Sequence, residues 1–189
     1  MIRPLSRRAF LAAIAAAAAG APARARAAEL PSGSARYLVE MLVFRQPEPL
    51  PKPMPAAPLA SVTTIPGRVE LLPDSVWQLA AAEQALAHRD GYPVLAHAAW
   101  AAIVPPNGRT TARLEDLLPG GTPLAGSVAL QRSQYLFLGV EIDYQAAAGV
   151  SYGLREKRRV KFGERHYFDH PAFGVIAQVT PSRGELPGD

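Results

Sequence analysis

Residues 154–181 read LREKRRVKFGERHYFDHPAFGVIAQVTP, a stretch with six of the chain's 20 Lys and Arg residues and two of its four histidines. Basic side chains occupy alternate positions in its first half: Arg155, Lys157, Arg159 and Lys161. Because successive side chains of a strand point to opposite faces, this alternation predicts a strand with one basic face, opposed by Leu154, Val160 and Phe162. Phe162-Gly163 is typical of a hairpin tip. The alternating apolar residues of Phe173–Val179 predict a closing strand.

Three further apolar segments predict strands, over Tyr37–Arg45, Tyr92–Val104 and Gly126–Tyr144. The first is mostly apolar on both faces, which predicts a central strand. Apolar residues recur at helical spacing over Asp74–His88, so this segment is the predicted main helix. The order of elements predicts an α+β fold, with an antiparallel sheet of about five strands and one main helix packed on one face. A single domain over residues 34–181 accounts for all of these elements.

Residues 1–27 predict a cleaved export signal. A positively charged start precedes the Ala-rich segment Leu11–Ala19, and Ala25-Arg26-Ala27 supplies the small residues that a signal peptidase requires. The apolar segment is far shorter than the ~20 residues that span a bilayer, so we expect no membrane span after signal removal. The sequence SRRAFL at residues 6–11 predicts twin-arginine export, and an ordinary secretory signal is the alternative.

Charge and cysteine content limit the class of protein. The formal net charge is +4, but five arginines lie in residues 1–27, which leaves 15 Lys and Arg against 16 Asp and Glu from Ala28 onward. A near-neutral exported domain is unlike a nucleic-acid-binding protein. The absence of cysteine excludes disulfides, thiolate metal sites and a bacterial lipoprotein anchor. These observations predict a soluble periplasmic protein whose concentrated positive charge lies between Arg155 and Arg165.

The segment of residues 46–66 contains seven prolines. Because proline has no backbone N–H to donate, the segment is predicted as an extended, Pro-rich loop rather than helix or sheet. A semi-rigid spacer is the favoured interpretation. The alternative is that Pro47–Pro58 is a recognition segment, which would make the chain a pure protein-interaction module.

Four ionisable residues follow the basic strand: Glu164, His166, Asp169 and His170. Their side-chain types are metal ligands, so one hypothesis is a metal-dependent cell-wall hydrolase. The favoured interpretation is structural, because Asp169-His170-Pro171 is typical of a turn in which Asp caps backbone amides. The chain has no nucleophile elbow, phosphate-binding loop or dinucleotide motif. We therefore predict no catalytic residue, no metal and no cofactor.

The predicted basic face has two interpretations. Lys and Arg on an exposed strand discourage pairing with the edge of another sheet. Alternatively, the face binds anions, since the planar guanidinium of arginine matches carboxylates in a bidentate geometry. In a periplasmic protein the abundant fixed anionic polymer is the cell wall. On the residues alone the two interpretations carry equal weight.

Several segments together form a recognisable combination. The most specific is Glu-x-His-Tyr-x-Asp-His-Pro at residues 164–171, and the others are YLVEMLVF at residues 37–44, GYPVLAHAAW at 91–100, LQRSQYLFL at 130–138 and the pair Arg158-Arg159. This combination resembles the CsiV family of periplasmic cell-shape proteins, and the resemblance covers most of Tyr37–Val179.

The resemblance implies a non-enzymatic protein that binds peptidoglycan and supports cell-wall synthesis and cell shape. It also implies a partnership with a class A penicillin-binding protein or its lipoprotein activator. The family brings no catalytic residues to carry over. Together with the basic alternation, it places the predicted ligand-binding residues at Arg155, Lys157, Arg158, Arg159, His166, Tyr167, Asp169 and His170.

Overall fold

The computed structural model describes residues 31–47, residue 52 and residues 69–182. The predicted export signal at residues 1–27 lies outside the described residues, as does nearly all of the Pro-rich segment at residues 46–66. The expected signal cleavage, the extended loop and the single domain over residues 34–181 therefore stay predictions.

Within the described residues, nine strands and a few short helical segments form the fold. The strands are β1 (Ala35–Arg45), β2 (Glu70–Leu71), β3 (Val94–Val104), β4 (Arg109–Arg113), β5 (Leu124–Arg132), β6 (Leu136–Ala147), β7 (Val150–Val160), β8 (Arg165–His170) and β9 (Phe173–Pro181). The helical segments are a 3-10 turn (Asp74–Val76), α1 (Ala80–Ala87) and α2 (Leu114–Leu117).

The strands form two antiparallel sheets. One has five strands in the order β2-β3-β1-β9-β8, and the other has four in the order β4-β5-β6-β7. Strand β1 lies between β3 and β9, so the prediction that Tyr37–Arg45 is a central strand is confirmed. Both of its faces are mostly apolar because neighbouring elements cover both, with Glu40 as the buried exception.

The two sheets pack face to face over one core. Alternate residues of β1, including Val39, Met41 and Val43, join one buried cluster with residues of β6 such as Leu138 and Ile142. Burying the inner faces of two sheets against each other is what stabilises a β-sandwich. The fold is thus mostly β, and the predicted α+β class with a single sheet is corrected to a two-sheet sandwich.

The segment Gly126–Tyr144, predicted as one strand, is a hairpin. Strand β5 ends at Arg132, the chain turns at residues 133–135, and β6 returns with Val128 opposite Val140 and Leu130 opposite Leu138. Paired residues of a hairpin point to the same face. Because this turn has three residues, paired positions are an even number apart, and the apolar alternation keeps its phase across the turn. The alternation pattern therefore gave no sign of the turn.

Phe162-Gly163 is not a hairpin tip. Strand β7 is an edge strand of the four-stranded sheet and β8 is an edge strand of the five-stranded sheet, so this turn carries the chain from one sheet to the other. Phe162 itself is exposed and its ring stacks on that of Tyr37, with ring centroids 5.8 Å apart. The turn predicted at Asp169-His170-Pro171 is also displaced, because Asp169 and His170 belong to β8 and residues 171–172 form the turn.

The helix predicted over Asp74–His88 is interrupted. The 3-10 turn ends at Val76 and α1 begins at Ala80, with Trp77 in an extended conformation between them. In the interruption, the carboxylate of Glu40 on β1 accepts hydrogen bonds from the backbone N–H groups of Gln78, at 2.7 Å, and Leu79, at 2.8 Å. A tertiary acceptor thus satisfies donors that a continuous helix would pair internally. The same contacts hold this segment on the outer face of the five-stranded sheet.

Candidate functional site

The predicted basic alternation is confirmed for Arg155, Lys157 and Arg159, whereas Lys161 lies beyond the end of β7 at Val160. Arg155, Lys157 and Arg159 are exposed on the outer face of the four-stranded sheet, whereas Leu154 and Val160 are buried between the sheets. We call the outer face of this sheet, with these three side chains and their cross-strand neighbours on β4, β5 and β6, the basic face. Because β7 is an edge strand, its charges also discourage pairing with another sheet.

Arg155 is neutralised within the fold. Its guanidinium Nη2 lies 2.7 and 2.8 Å from the two carboxylate oxygens of Asp143 on β6, which is diagonal to Arg155 because the ladder pairs Asp143 with Gly153. Its Nη1 donates to the carbonyl oxygens of Ile142 and Leu154, both at 3.0 Å. With its charge paired and its donors engaged, Arg155 has little capacity left for an anionic ligand.

Arg158 points away from the basic face. It lies on the inward side of β7, forms an ion pair with Glu156, and places its guanidinium carbon 4.5 Å from the centroid of the Phe168 ring. Phe168 belongs to β8, so Arg158 covers the open side of the sandwich where the edge strands of the two sheets meet. A cation over a buried aromatic ring stabilises this closure.

Lys157 is a free positive charge on the basic face. Its Nζ donates to Oε1 of Gln131 at 2.6 Å and lies 5.1 Å from the centroid of the Phe137 ring. Both are neutral groups, and among the described residues no carboxylate lies within ion-pair distance of Lys157. The lysine reaches across the sheet past its cross-strand neighbour Gly139, which has no side chain.

Arg159 is the second free charge. Its guanidinium carbon lies 3.5 Å from the centroid of the Tyr135 ring, a close cation–π contact at the turn between β5 and β6. No carboxylate in the described part of the chain pairs with it. The ring restricts the guanidinium without neutralising it, so Lys157 and Arg159 are positioned cations available to an anion.

The structure places the four predicted residues of β8 away from the basic face, and on two opposite sides of their own strand. Tyr167 and Asp169 share one side, where the Tyr167 hydroxyl donates to Oδ1 of Asp169 at 2.7 Å and accepts from Nε2 of Gln46 at 2.8 Å. Burial, followed by the hydrogen bond to Asp169, raises the pKa of Tyr167 to about 12. These contacts hold the chain after β1 against the β8–β9 hairpin.

His166 and His170 lie on the other side of β8. The His170 ring packs on Phe173 and Tyr152, with centroids 5.0 and 5.8 Å away, and its Nδ1 accepts from the N–H of Ala172 at 3.0 Å. The Nε2 atom of His166 accepts from the N–H of Lys161 at 3.3 Å. Both imidazoles therefore organise turns at the ends of β8.

The hypothesis of a metal site at Glu164, His166, Asp169 and His170 has no geometric support. Glu164 contacts Lys161 at 3.2 Å, and Asp169 points to the side of β8 opposite the two histidines. Among residues 31–47, 52 and 69–182, no group of three or more His, Asp or Glu side chains is arranged to hold a metal ion. The structure does not bring these residues together as ligands.

A pH effect on stability follows from His170. Burial lowers the pKa of His170 below its ordinary value of 6.5, and the charge of Asp169 opposes this shift. The unfolded state then binds the proton more readily, so stability is full above about pH 6.5 and falls as the pH decreases toward the folded-state pKa. Replacement by Asn keeps an oxygen acceptor for the Ala172 N–H but does not titrate.

We therefore expect His170→Asn to lose less unfolding free energy than the wild type when the pH is lowered from about 7.5 to about 5.5. Urea unfolding followed by circular dichroism at the two pH values measures the difference. An equal loss in both proteins would contradict the assignment of the pH dependence to this imidazole.

The sequence reasoning missed the residues that position the free cations. Gln131, Tyr135 and Phe137 follow an alternating pattern in the sequence and share the basic face. Their relation to β7 depends on the β5–β6 hairpin, which the alternation did not reveal. A turn assigned to residues 133–135 would have revealed the hairpin and placed Gln131, Tyr135 and Phe137 beside β7.

Fold and surface together define a two-sheet antiparallel β protein with an exposed, partly unneutralised cationic sheet face. Residues 140–182 match the family model described as "Peptidoglycan-binding protein, CsiV". The resemblance to the CsiV family is thus confirmed for less than a quarter of the 189-residue chain, from within β6 through β9. All eight predicted ligand-binding residues lie in the matched segment. Comparison with curated proteins and with solved structures found no match.

The structure also bears on membrane association. Among the described residues, none of the helices is long and apolar enough to cross a membrane.

Proposed function

We propose that this chain is a non-enzymatic, periplasmic peptidoglycan-binding protein that supports cell-wall synthesis and cell shape. The observation that carries the proposal is the pair of exposed cations Lys157 and Arg159, which have no carboxylate partner among the described residues. Both lie in the segment that matches a family described as peptidoglycan-binding. A guanidinium and an ammonium group on an open sheet suit the carboxylates of the cell wall.

The eight predicted ligand-binding residues have different parts in this proposal. Lys157 and Arg159 contact the ligand, and Arg155 borders them. Arg158 and the β8 residues His166, Tyr167, Asp169 and His170 position the edge of the sandwich from which β7 is presented. The hydrogen bonds of the β8 side chains inside the hairpin support a structural rather than a catalytic role for the Glu-x-His-Tyr-x-Asp-His-Pro motif.

The cellular setting is part of the proposal. Twin-arginine export, proposed from residues 6–11, would deliver the chain to the periplasm, where the wall is accessible. A class A penicillin-binding protein or its lipoprotein activator is the proposed protein partner. Purification of the tagged chain from envelope extracts tests this partnership, since either protein should co-purify with it. If neither protein co-purifies with the tagged chain, the partnership is contradicted.

Retention by purified cell walls tests the proposed function. We expect the purified chain to sediment with sacculi at physiological salt and Lys157→Gln/Arg159→Gln to be retained at least about tenfold less, since each charge-assisted hydrogen bond contributes about 1.5–3 kcal/mol. Retention should also fall with added salt. Lys161→Gln/Arg165→Gln is the matched control because it removes two positive charges away from the basic face.

Two outcomes would contradict the proposal. If the unmodified chain does not sediment with sacculi, wall binding is wrong. If both double variants lose retention equally, general charge attraction rather than the basic face accounts for binding.

A further inference from the structure

One cross-strand row crosses all four strands of the basic face. Arg109 on β4 lies opposite Gln131 on β5, Gln131 lies opposite Phe137 on β6, and Phe137 lies opposite Arg159 on β7. We call these four residues the basic row. Neighbouring strands are about 4.8 Å apart, so the row spans about 14 Å.

Three cations are distributed along the basic row. Arg159 stands at the β7 end beside Tyr135, and the Nζ of Lys157 reaches the middle of the row through its contact with Gln131. Arg109 stands at the β4 end, 42% exposed, and its nearest carboxylate oxygen, on Glu141, is 3.9 Å away. At that distance the contact is at the limit of an ion pair and leaves most guanidinium donors unused.

The rest of the basic face is neutralised. Arg155 is paired with Asp143, and Arg113 is paired with Glu115. Both pairs lie on the side of the face away from the turn between β5 and β6. The positive potential is therefore concentrated along the basic row rather than spread over the sheet.

The aromatic side chains of this face hold cations. Lys157 covers the ring of Phe137, and the guanidinium of Arg159 lies against the ring of Tyr135. Sugar recognition by stacking needs an open aromatic surface, and here cations occupy the rings. The groups presented to a ligand are instead charged donors, together with the side-chain NH2 of Gln131, whose oxygen is engaged by Lys157.

We propose that the basic row binds the carboxylates of an extended acidic peptide, which on the wall are those of its short stem peptides rather than its glycan. This inference rests on the proposed function and assigns its ligand class. An extended chain advances about 3.3–3.6 Å per residue, so about four residues span the 14 Å row. Arg109 and Arg159 bind carboxylates at the two ends, while Lys157 and the amide of Gln131 meet the peptide between them.

Arg109→Gln tests the row at its far end, in a strand outside the segment that matches the family. We expect the affinity for soluble wall stem peptides, measured by calorimetric titration, to fall about three- to tenfold, as expected for loss of one exposed charge-assisted contact. Arg113→Gln is the matched control, on the same strand and face but already paired with Glu115, and its affinity should change by less than about twofold. Equal urea midpoints exclude misfolding as the cause, and equal affinities for the two variants would overturn the role of Arg109.

Binding of the chain to three wall preparations, namely native sacculi, amidated sacculi and peptide-free glycan strands, distinguishes this inference from the proposed function. We expect native sacculi to retain the chain, and sacculi with amidated carboxyl groups to retain it at least about tenfold less. Glycan strands freed of peptides should not bind the chain. Equal retention of native and amidated sacculi, or retention of peptide-free glycan, would overturn the inference while leaving wall binding intact. Failure to retain native sacculi, with soluble stem peptides still bound, would overturn the proposed function and support the inference. Binding of neither would overturn both.

Discussion

Glu40→Ala is expected to lower the free energy of unfolding by about 3–5 kcal/mol, the cost of breaking a buried charged network by removing one partner. Glu40 lies on β1 with only 6% of its surface exposed. Its carboxylate accepts three hydrogen bonds, from the N–H groups of Gln78 and Leu79 and from Nε2 of His97 at 2.8 Å. Alanine would leave all three donors without this acceptor.

The network around Glu40 explains why the loss is large. His97 is nearly buried, lies 2.9 Å from Glu83 through its other ring nitrogen, and has its centroid 4.0 Å from that of Trp77. A buried donor left unsatisfied costs about 1–3 kcal/mol. Glu40 thus holds both the interrupted helix and the Trp77 ring on the five-stranded sheet.

Glu83→Ala is the matched control for this prediction. It removes the other carboxylate that contacts His97, but the Glu83 side chain is 36% exposed and makes one of the two contacts to the imidazole. We expect a loss of about 1 kcal/mol, as for a single partly hydrated interaction. Urea unfolding of both variants measures the difference, and a loss below about 1 kcal/mol for Glu40→Ala would show that the network does not stabilise this segment.

The alternation of apolar and polar residues predicted strands well where residues adjacent in the sequence are enough to indicate which side chains are buried. The alternation around Arg155–Val160 identified which side chains are exposed, and the two apolar faces of Tyr37–Arg45 identified a central strand. The interruption of the helix at Trp77 has a different origin. It depends on Glu40, which is far away in the sequence, so helical periodicity alone could not reveal it.

The two-sheet architecture could not be predicted because the phase of the alternation does not change across the three-residue turn at 133–135. Val128 and Val140 face the same core from opposite strands, so one long strand and a hairpin have the same pattern. If Gly126–Tyr144 is counted as one strand, the predicted strands are too few to form a second sheet. The sequence pattern did not predict β2, β4 or β8 as strands, and it did not predict the arrangement in two layers.

The candidate site shows the same limit. Arg155, Lys157 and Arg159 are equivalent in the sequence pattern, but in the structure their side chains contact different groups on the neighbouring β5–β6 hairpin. Arg155 meets the carboxylate of Asp143, whereas Lys157 and Arg159 meet neutral or aromatic groups from the β5–β6 hairpin. Which cation is free is a property of the register between strands, and the register was unknown before the hairpin was located.

Gly126→Ala is expected to destabilise the β5–β6 hairpin by about 2–5 kcal/mol, from a backbone conformation unfavourable to L-residues together with overpacking. Gly126 has a backbone φ of +125°, opposite Ile142 in the ladder. A Cβ atom there would lie 2.0 Å from the carbonyl oxygen of Glu141 and 3.2 Å from the Cα of Ile142. Both neighbours are backbone atoms, which cannot rotate away as the end of a side chain could.

Gly139→Ala, in the same hairpin, separates this clash from the general effect of adding a methyl group. The nearest atoms to a Cβ at Gly139 are 3.9 Å away, on Ala129, and its backbone φ is not positive. We expect this variant to remain within about 0.5 kcal/mol of the wild type or to gain slightly, since alanine restricts the unfolded chain more than glycine does. Urea unfolding of the two alanine variants gives the comparison. Equal stabilities would mean that β5 and β6 separate at Gly126 at little cost, and the hairpin would then be too loose to hold Gln131 and Phe137 in the basic row.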